Sequence, residues 1–223
     1  METLFNKIWI KFLSYLETRG RKIRNRINRK RLKNHDFSII ASTCNGGVIA
    51  HDLGMRFNTP FVNIFILPED YIKLLKNPKY YIYDNELEFS KTKTVNKYSL
   101  SEKDNYPVAK LDDITLFFPH DHTEKEAAEN WNKRKGRIKW DNLFIMFTDR
   151  DSCSYELIKE FDQLPYENKV IFTNKPYPEF KSAFYIRGFE LEKCVGICSE
   201  YKNKFGKRYL DDFDYVGWLN NGQ

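Results

Sequence analysis

The sequence is poor in cysteine, and its cysteines lack the spacing of a metal or redox motif. The four are Cys44, Cys153, Cys194 and Cys198, and no two of them are separated by two residues. This excludes zinc ribbons and thioredoxin-like sites, which need a C-x-x-C pair. Cys194 and Cys198 lie four positions apart, but no neighbouring residues complete a metal site. We therefore expect free thiols in a reducing compartment.

Long apolar runs are also missing. No segment approaches the ~18 consecutive apolar residues that cross a bilayer. The N-terminal apolar segment is interrupted by Asn6, Lys7 and Lys11, and no small-residue cleavage site follows it. It therefore does not resemble a secretion signal, and we expect a cytoplasmic protein.

Acidic residues are scarce at the N-terminus and in slight excess elsewhere. The 223 residues have a net charge of +6, but residues 1–35 contain 11 Lys/Arg and 2 acids, a net charge of +9. The other 188 residues contain 26 basic and 29 acidic side chains, a net charge of −3. This distribution excludes a uniformly basic nucleic-acid-coating protein. It predicts a basic helical arm over residues 1–35 and a single α/β domain over residues 36–223.

Residues 2–17 of the arm have the pattern of an amphipathic helix. On a helical wheel, seven apolar side chains fall within an arc of roughly 140°: Leu4, Phe5, Ile8, Trp9, Phe12, Tyr15 and Leu16. Nine Lys/Arg and no acid follow in residues 19–33. Such a helix typically lies on an anionic membrane surface, so residues 1–33 predict membrane binding. The alternative is packing of the apolar face on the protein itself or on a second subunit. No nucleic acid is expected, because the basic run lacks aromatic residues for base stacking.

Apolar runs alternate with helical patterns after residue 36. Strands are predicted at residues 37–41, 61–67, 111–118, 143–148 and 169–173, and helices at 48–53, 68–75, 124–137 and 155–164. Thr123 and Glu126 form a T-x-x-E capping box that opens the third of these helices. The alternation predicts an α/β fold, a three-layer sandwich with a largely parallel or mixed sheet, preceded by the N-terminal helix.

Polar segments follow three of the predicted strands, at residues 42–47, 119–122 and 148–151. In open α/β sheets, ligands bind beyond the carboxyl ends of the strands. If the strands are parallel, the three segments meet at one edge, and we expect the functional site there.

The first of these segments contains Cys44, Asn45, Gly46 and Gly47. A helix N-terminus favours the thiolate form of a cysteine, so Cys44 is a candidate nucleophile. The two glycines allow close backbone approach, so the loop is also a candidate phosphate-binding segment. A buried structural cysteine beside a tight turn is the remaining interpretation.

The second segment contains His120 and His122. A histidine at a strand end is well placed as a general base, and we assign this role to His120. The spacing supplies no third ligand, so no metal site is predicted from the histidines.

The third segment contains Asp149-Arg150-Asp151. A D-x-D sequence after a buried strand is typical of sites that hold a divalent cation against a nucleotide sugar, because hard cations prefer carboxylate oxygens. The alternative is that Asp151 or Ser152 caps the helix that begins near Tyr155.

Two further pairs are candidate substrate-binding residues. Asp112 and Asp113 lie at the start of the third predicted strand, while Arg134 and Arg137 lie one turn apart on a helix. The arginines are expected to pair with these acids or with a substrate phosphate, unless they form a solvated helix face.

An ordered series of short motifs extends over residues 36–220: Cys44-x-Gly46-Gly47, Thr59-Pro60, Tyr106-Pro107-Val108, Leu111-Asp112-Asp113-Ile114, His120, Glu126-Ala127, Trp131, Arg134, Arg137-Ile138, Trp140-Asp141-Asn142, Phe161-x-x-Leu164, Asn168-Lys169-Val170 and Phe172-Thr173. This series resembles an uncharacterised bacterial family found in exopolysaccharide and capsule biosynthesis loci. The sequence departs from the family pattern at Asn45 and Asp121, where aromatic residues are usual.

The resemblance implies a role in capsule or exopolysaccharide assembly, in which enzymes often act on polyprenyl-linked sugars at the inner membrane face. The resulting hypothesis is a transferase that modifies a lipid-linked sugar precursor. His120 would act as general base, the Cys44–Gly47 loop would bind a donor phosphate, and Asp149 with Asp151 would hold a divalent cation and a nucleotide-sugar donor, or position the acceptor. The alternatives are a Cys/His acyltransferase or hydrolase, and a non-catalytic scaffold or regulator on the membrane.

Overall fold

The computed structural model describes residues 4–90, 94–95, 98–99 and 106–221. Its α-helices are α1 (Leu4–Arg31), α2 (Asn45–Leu53), α3 (Pro68–Lys76), α4 (Glu124–Lys135), α5 (Tyr155–Gln163) and α6 (Tyr215–Asn220). Single turns of 3₁₀-helix cover Trp140–Asn142 and Tyr209–Asp212, and a π-helical turn covers Tyr80–Asp84. Within the described residues, no helix is both long and apolar enough to cross a membrane.

The strands are β1 (Ser38–Ala41), β2 (Glu88–Phe89), β3 (Thr94–Val95), β4 (Tyr98–Ser99), β5 (Val108–Leu111), β6 (Ile114–Phe117), β7 (Leu143–Thr148), β8 (Lys169–Thr173) and β9 (Ala183–Tyr185). The main sheet has the order β1-β7-β8-β9, and all of its strand pairs are parallel. A smaller antiparallel sheet has the order β2-β5-β6, and β3 pairs with β4 in a hairpin.

Helices cover both faces of the parallel sheet, so the predicted three-layer α/β fold is confirmed. Along β7, Ile145 and Phe147 belong to the core shared with α3, α4 and α5, while Phe144 and Met146 belong to the core shared with α2 and α6. A parallel strand that is buried on both faces reads as an unbroken apolar run, which is why β7 and β8 were recognisable in the sequence.

Two predicted strands have a different structure. Residues 111–118 are part of an antiparallel hairpin. Leu111 ends β5, Asp112 and Asp113 make the turn, and β6 follows from Ile114. Residues 61–67 form no strand, because Asn63 has a left-handed backbone with φ of 61° and extended pairing cannot continue through it. This segment keeps one antiparallel bridge, between Phe65 and Phe117, and it also bonds to β1, where the Ile66 amide donates to the Ser42 carbonyl at 3.0 Å.

The C-terminal half of α1 packs on the domain. The Arg21 guanidinium is almost fully buried and donates to Asp52 on α2 at 2.8 Å and to Asp211 at 2.6 Å. Asn28 donates to the Tyr215 hydroxyl at 2.8 Å, and Leu32, just beyond the helix, belongs to the core. The predicted boundary at residue 35 therefore falls after a helix whose second half is tied to the domain by long-range contacts.

Asp52 is the carboxylate on which this packing converges. Its two oxygens accept hydrogen bonds from Arg21, from Asn25 at 2.9 Å and from Arg208 at 2.6 Å. A buried charge is tolerated only when its partners satisfy it. The three donors come from α1 and from the C-terminal segment, so Asp52 joins both to α2.

We predict that Asp52→Asn lowers the free energy of unfolding by about 3–5 kcal/mol, because Arg208 loses its carboxylate partner and the buried Arg21 is left with Asp211 alone. The matched control is Asp214→Asn, since the Arg31–Asp214 pair is solvent-exposed and asparagine caps α6 as well as aspartate does. The control should cost about 1 kcal/mol or less. Urea unfolding followed by circular dichroism measures both, and equal losses would contradict the role given to Asp52.

Candidate functional site

A cavity of about 180 Å³ opens at the carboxyl edge of the parallel sheet. Its lining comes from the loops after β1, β6 and β7, from the segment between α2 and α3, and from a residue before β5: Thr43, Cys44, Asn63, Ile64, Phe65, Tyr106, Pro119, His120, Arg150 and Asp151. The predicted convergence of the three polar segments therefore occurs. Ligand pockets for whole cofactors are usually 300–1,000 Å³, so this cavity encloses a group of a few atoms.

His120 reaches the cavity by a route that the sequence did not indicate. The strand before it, β6, belongs to the antiparallel sheet and not to the parallel one. The bridge between Phe65 and Phe117 joins this hairpin to the segment beside β1, and the imidazole of His120 is exposed in the cavity lining. Cys44, His120 and Asp151 thus share one cavity although their strands belong to two sheets.

Backbone strain is concentrated around this cavity. Four non-glycine residues of the described chain have positive φ, and two of them, Asn63 (61°) and Asp151 (59°), line the cavity. Ser152, at 66°, follows directly. Left-handed residues cost free energy and persist where the surrounding structure holds them, often at functional sites. The strain fixes the direction in which the loop after β7 presents Asp151.

Cys44 is the N-cap residue of α2, and its thiol makes no capping hydrogen bond. The following Asn45, Gly46 and Gly47 are buried in the first turn of the helix. A Cβ atom on Gly46 would lie 2.9 Å from Ile39 Cγ2, and one on Gly47 would lie 3.2 Å from Val62 Cγ1. The two glycines therefore let α2 pack tightly against β1 and residue 62. This packing explains why glycine occupies both positions, and a phosphate-binding role is not needed to explain it.

Asp149 and Asp151 have different surroundings, although only Arg150 separates them in the sequence. Asp149 is buried, and its two carboxylate oxygens accept the backbone amides of Asn174 at 2.8 Å and Val195 at 2.7 Å. Burial raises the pKa of Asp149, and these two amide bonds oppose the shift. Burial also raises the pKa of Asp151, against the opposing charge of Arg150.

This arrangement does not fit a cation held between the two aspartates, because both oxygens of Asp149 are already bonded to the backbone. Among the described residues, no group of three or more His, Cys, Asp or Glu side chains is arranged to hold a metal ion. The capping role considered for Asp151 and Ser152 is also wrong. Ser154 is the N-cap of α5, and its side chain accepts the Leu157 amide at 3.2 Å.

The other three cysteines lie outside the cavity lining. Burial raises the pKa of Cys153 and of Cys198 to about 12, and that of Cys194 is also raised. Thiols in such surroundings stay protonated at neutral pH and react slowly. Cys44 is the one cysteine of the chain whose position in the lining suits nucleophilic chemistry.

The remaining predicted residues lie elsewhere. At the β5–β6 turn, Asp113 pairs with Lys73 at 2.8 Å, which lowers the pKa of its carboxyl, and Asp112 accepts from the Tyr80 hydroxyl at 2.7 Å. Arg134 stacks over the Phe57 ring at 5.6 Å, and Arg137 donates to the Phe57 carbonyl at 3.4 Å. The expected pairing of these arginines with the two acids is not found, and none of the four residues lines the cavity of Cys44 and His120.

Sequence reasoning missed Asn63, Tyr106 and Arg150 as lining residues. Arg150 lies between the two aspartates, so its position after a buried strand marks it as a lining residue in the same way. Asn63 was assigned to a strand, and nothing local in the sequence signals its left-handed backbone, although asparagine tolerates that conformation better than most residues.

Comparison with known proteins shows the family. A model described as "Domain of unknown function (DUF1919)" matches residues 16–220. The chain belongs to the DUF1919 family. An uncharacterised protein from Haemophilus influenzae is 46% identical over 211 residues, which are 95% of this chain and 97% of that protein. The DUF1919 match begins inside α1, so the family region starts earlier than the expected residue 36 and includes the docked half of this helix.

We predict opposite outcomes for two substitutions in the D-x-D segment. Asp149→Asn should lower the free energy of unfolding by about 1–3 kcal/mol, because an asparagine amide group faces a backbone N–H in place of an accepting oxygen. Asp151→Asn should raise it slightly, by about 0.5 kcal/mol or less, since asparagine accepts left-handed backbone and the substitution removes a charge that burial disfavours. The sign follows from the raised pKa of Asp151, which makes its ionised form unfavourable in the fold at neutral pH.

Both variants are measured by urea unfolding at pH 7. A stable Asp149→Asn protein would show that the Asp149 carboxylate is not a structural acceptor, and would return it to the list of candidate ligand-binding groups.

Proposed function

We propose that this DUF1919 protein is a peripheral membrane transferase that acts on a lipid-linked sugar precursor in capsule or exopolysaccharide biosynthesis, at the cytoplasmic face of the membrane. The observation that carries the proposal is the direction in which α1 is held. The docked side of α1 leaves its apolar side exposed, with exposed cations along one flank.

The apolar side of α1 forms a continuous stripe. At 100° per residue, five residues fall within roughly 60° of one another on the helix surface: Trp9, Phe12, Leu16, Ile23 and Ile27. The exposed fractions of Trp9, Ile23 and Ile27 are 52%, 55% and 53%. The docked residues Arg21 and Asn28 lie on nearly the opposite side of the helix, so the stripe points away from the domain.

Exposed cations line one flank of the stripe. Lys11, Arg19, Lys22, Arg26 and Lys30 are all exposed and lie within roughly 100° of one another next to the apolar side chains. No carboxylate of the described chain forms an ion pair with any of them. An exposed apolar stripe beside unpaired cations is complementary to an anionic lipid surface, where each cation contributes on the order of 1 kcal/mol.

The cavity of Cys44 and His120 supports the catalytic part of the proposal. Its volume suits a single reacting group, and His120 is exposed to a substrate that enters from solvent. As general base, His120 takes the proton from an acceptor hydroxyl while the hydroxyl oxygen attacks the anomeric carbon of a nucleotide-sugar donor; the bond from this carbon to the diphosphate breaks, and the nucleoside diphosphate leaves. In an acyl-transfer variant, Cys44 is the nucleophile and His120 is its base.

We predict that Ile23→Glu weakens binding to vesicles containing phosphatidylglycerol by about tenfold or more, because burying one isoleucine contributes about 1.5–3 kcal/mol and the new charge is repelled. The matched control is Ile10→Glu, since Ile10 is equally exposed at 56% but lies well away from the stripe. Cosedimentation measures both. Equal affinity of the two variants, or no binding of the unmodified protein to anionic vesicles, would contradict the membrane part of the proposal.

We predict that His120→Ala lowers polysaccharide output at least 100-fold, the usual contribution of a general base, when it replaces the chromosomal copy in the host bacterium. His122→Ala is the matched control, because His122 is exposed two residues further on and outside the cavity lining. Cys44→Ser then separates the chemistries, since it abolishes acyl transfer through a thiol and spares direct glycosyl transfer. Normal output from His120→Ala, together with loss of output from Ile23→Glu, would favour the non-catalytic scaffold.

A further inference from the structure

A larger cavity, of about 390 Å³, lies at the opposite edge of the parallel sheet. It is lined by the residues just before β1, the residues just before β7 and the segment that follows α2: His35, Asp36, Met55, Arg56, Asn58, Gly136, Arg137, Ile138 and Lys139. Because β1 and β7 are parallel, their amino ends lie together here, away from Cys44 and His120. The volume is within the range of ligand pockets.

The lining is strongly positive. It contains three cations, Arg56, Arg137 and Lys139, against one acid, Asp36. Asp36 pairs with Lys139 at 2.9 Å, and both side chains are largely exposed, so this pair contributes little. Among the described residues, no carboxylate pairs with Arg56 or Arg137.

Arg137 is held in place while most of its donors stay available. Its side chain is half-buried, and one nitrogen, Nη1, donates to the Phe57 carbonyl at 3.4 Å. A guanidinium has five N–H donors in a planar fork that matches phosphate or carboxylate geometry. The neighbouring Arg134 is stacked over the Phe57 ring at 5.6 Å, and burial is the main cause that lowers its pKa, while the charge of Asp121 opposes the shift.

Helix capping does not account for these cations. The C-terminal carbonyls of α2 are already served by Arg29, whose Nε donates to the Asp52 carbonyl at 2.8 Å. Arg137 lies beyond the end of α4, and its hydrogen bond goes to a loop carbonyl rather than to a carbonyl of that helix. The positive charge therefore exceeds what the two helix ends require.

We propose that this cavity is a binding pocket for a phosphate ester or diphosphate group, held by Arg137, Arg56 and Lys139. Two arginines favour an oxyanion that accepts several hydrogen bonds at once, which phosphate provides. The site is separate from the cavity of the proposed transferase reaction and does not depend on that function. The same group occurs in soluble phosphate esters and in lipid headgroups.

Gly136 allows a sharp test. Its backbone is ordinary, with φ of −73° and ψ of 1°, and a Cβ atom there would meet no atom within 4 Å. Gly136→Glu therefore adds a negative charge to the cavity without strain, and Gly136→Gln adds a side chain of the same size without the charge.

The probe is inorganic pyrophosphate, titrated by calorimetry into the full chain at about 150 mM salt, at which surface charges are well screened. We expect saturable binding that Gly136→Glu weakens by roughly tenfold or more, that Arg137→Gln also weakens, and that Gly136→Gln changes by less than about threefold. Circular dichroism confirms that each variant is folded.

Two further titrations distinguish a soluble phosphate ester from a lipid headgroup as the source of the bound phosphate. Glucose 1-phosphate represents the soluble ester, and dihexanoyl phosphatidic acid, kept below its micelle concentration, represents the headgroup. Tighter binding of either one identifies the source and supports the pocket. No saturable pyrophosphate binding by the unmodified protein, or equal binding by Gly136→Glu and Gly136→Gln, would overturn the proposal. Neither result affects vesicle binding by α1 or the role of His120, so the two proposals fail separately.

Discussion

The buried carboxylate of Asp52 is the constraint on which much of the structure depends. An ionised group in the interior requires charged or hydrogen-bonding partners, and Asp52 obtains them from Arg21 and Asn25 on α1 and from Arg208 near the C-terminus. The helix α1 also approaches the loop that contains Phe205 closely, since a Cβ atom on Gly20 would lie 2.1 Å from the Phe205 carbonyl oxygen. These contacts set the rotation of α1 about its axis, and this rotation decides which of its side chains face solvent.

The same contacts divide the positive charge of the arm into two groups. Arg21, Arg24, Arg29 and Arg31 bind carboxylates or carbonyls of the domain. Lys11, Arg19, Lys22, Arg26 and Lys30 stay exposed beside the apolar stripe. The net charge of the segment therefore overstates the positive charge that is available to a partner. It also means that the arm cannot be removed whole without exposing Asp52 and the core around Leu32.

Strand direction gives the two edges of the main sheet different chemistry. The carboxyl edge carries Cys44, Asp151 and, through the neighbouring hairpin, His120, in a small cavity with a strained lining. The amino edge carries Arg56, Arg137 and Lys139 in a larger cavity. A parallel sheet produces this separation because all loops that follow strands lie on one side and all segments that precede strands lie on the other.

Local sequence patterns were sufficient for much of the fold. The apolar runs predicted β7 and β8 with their observed bounds, Thr123 and Glu126 predicted the start of α4, and the order of strands and helices predicted the parallel sheet and the edge at which Cys44 and Asp151 meet. These features arise from hydrophobic burial and capping within a few residues. Tertiary structure alone decided that residues 61–67 are not a strand, that Asp149 points inward to the amides of Asn174 and Val195, and that the C-terminal half of α1 is tied to the domain. Each of these depends on partners far away in the chain, and the residues next to a side chain do not indicate which distant group will satisfy it.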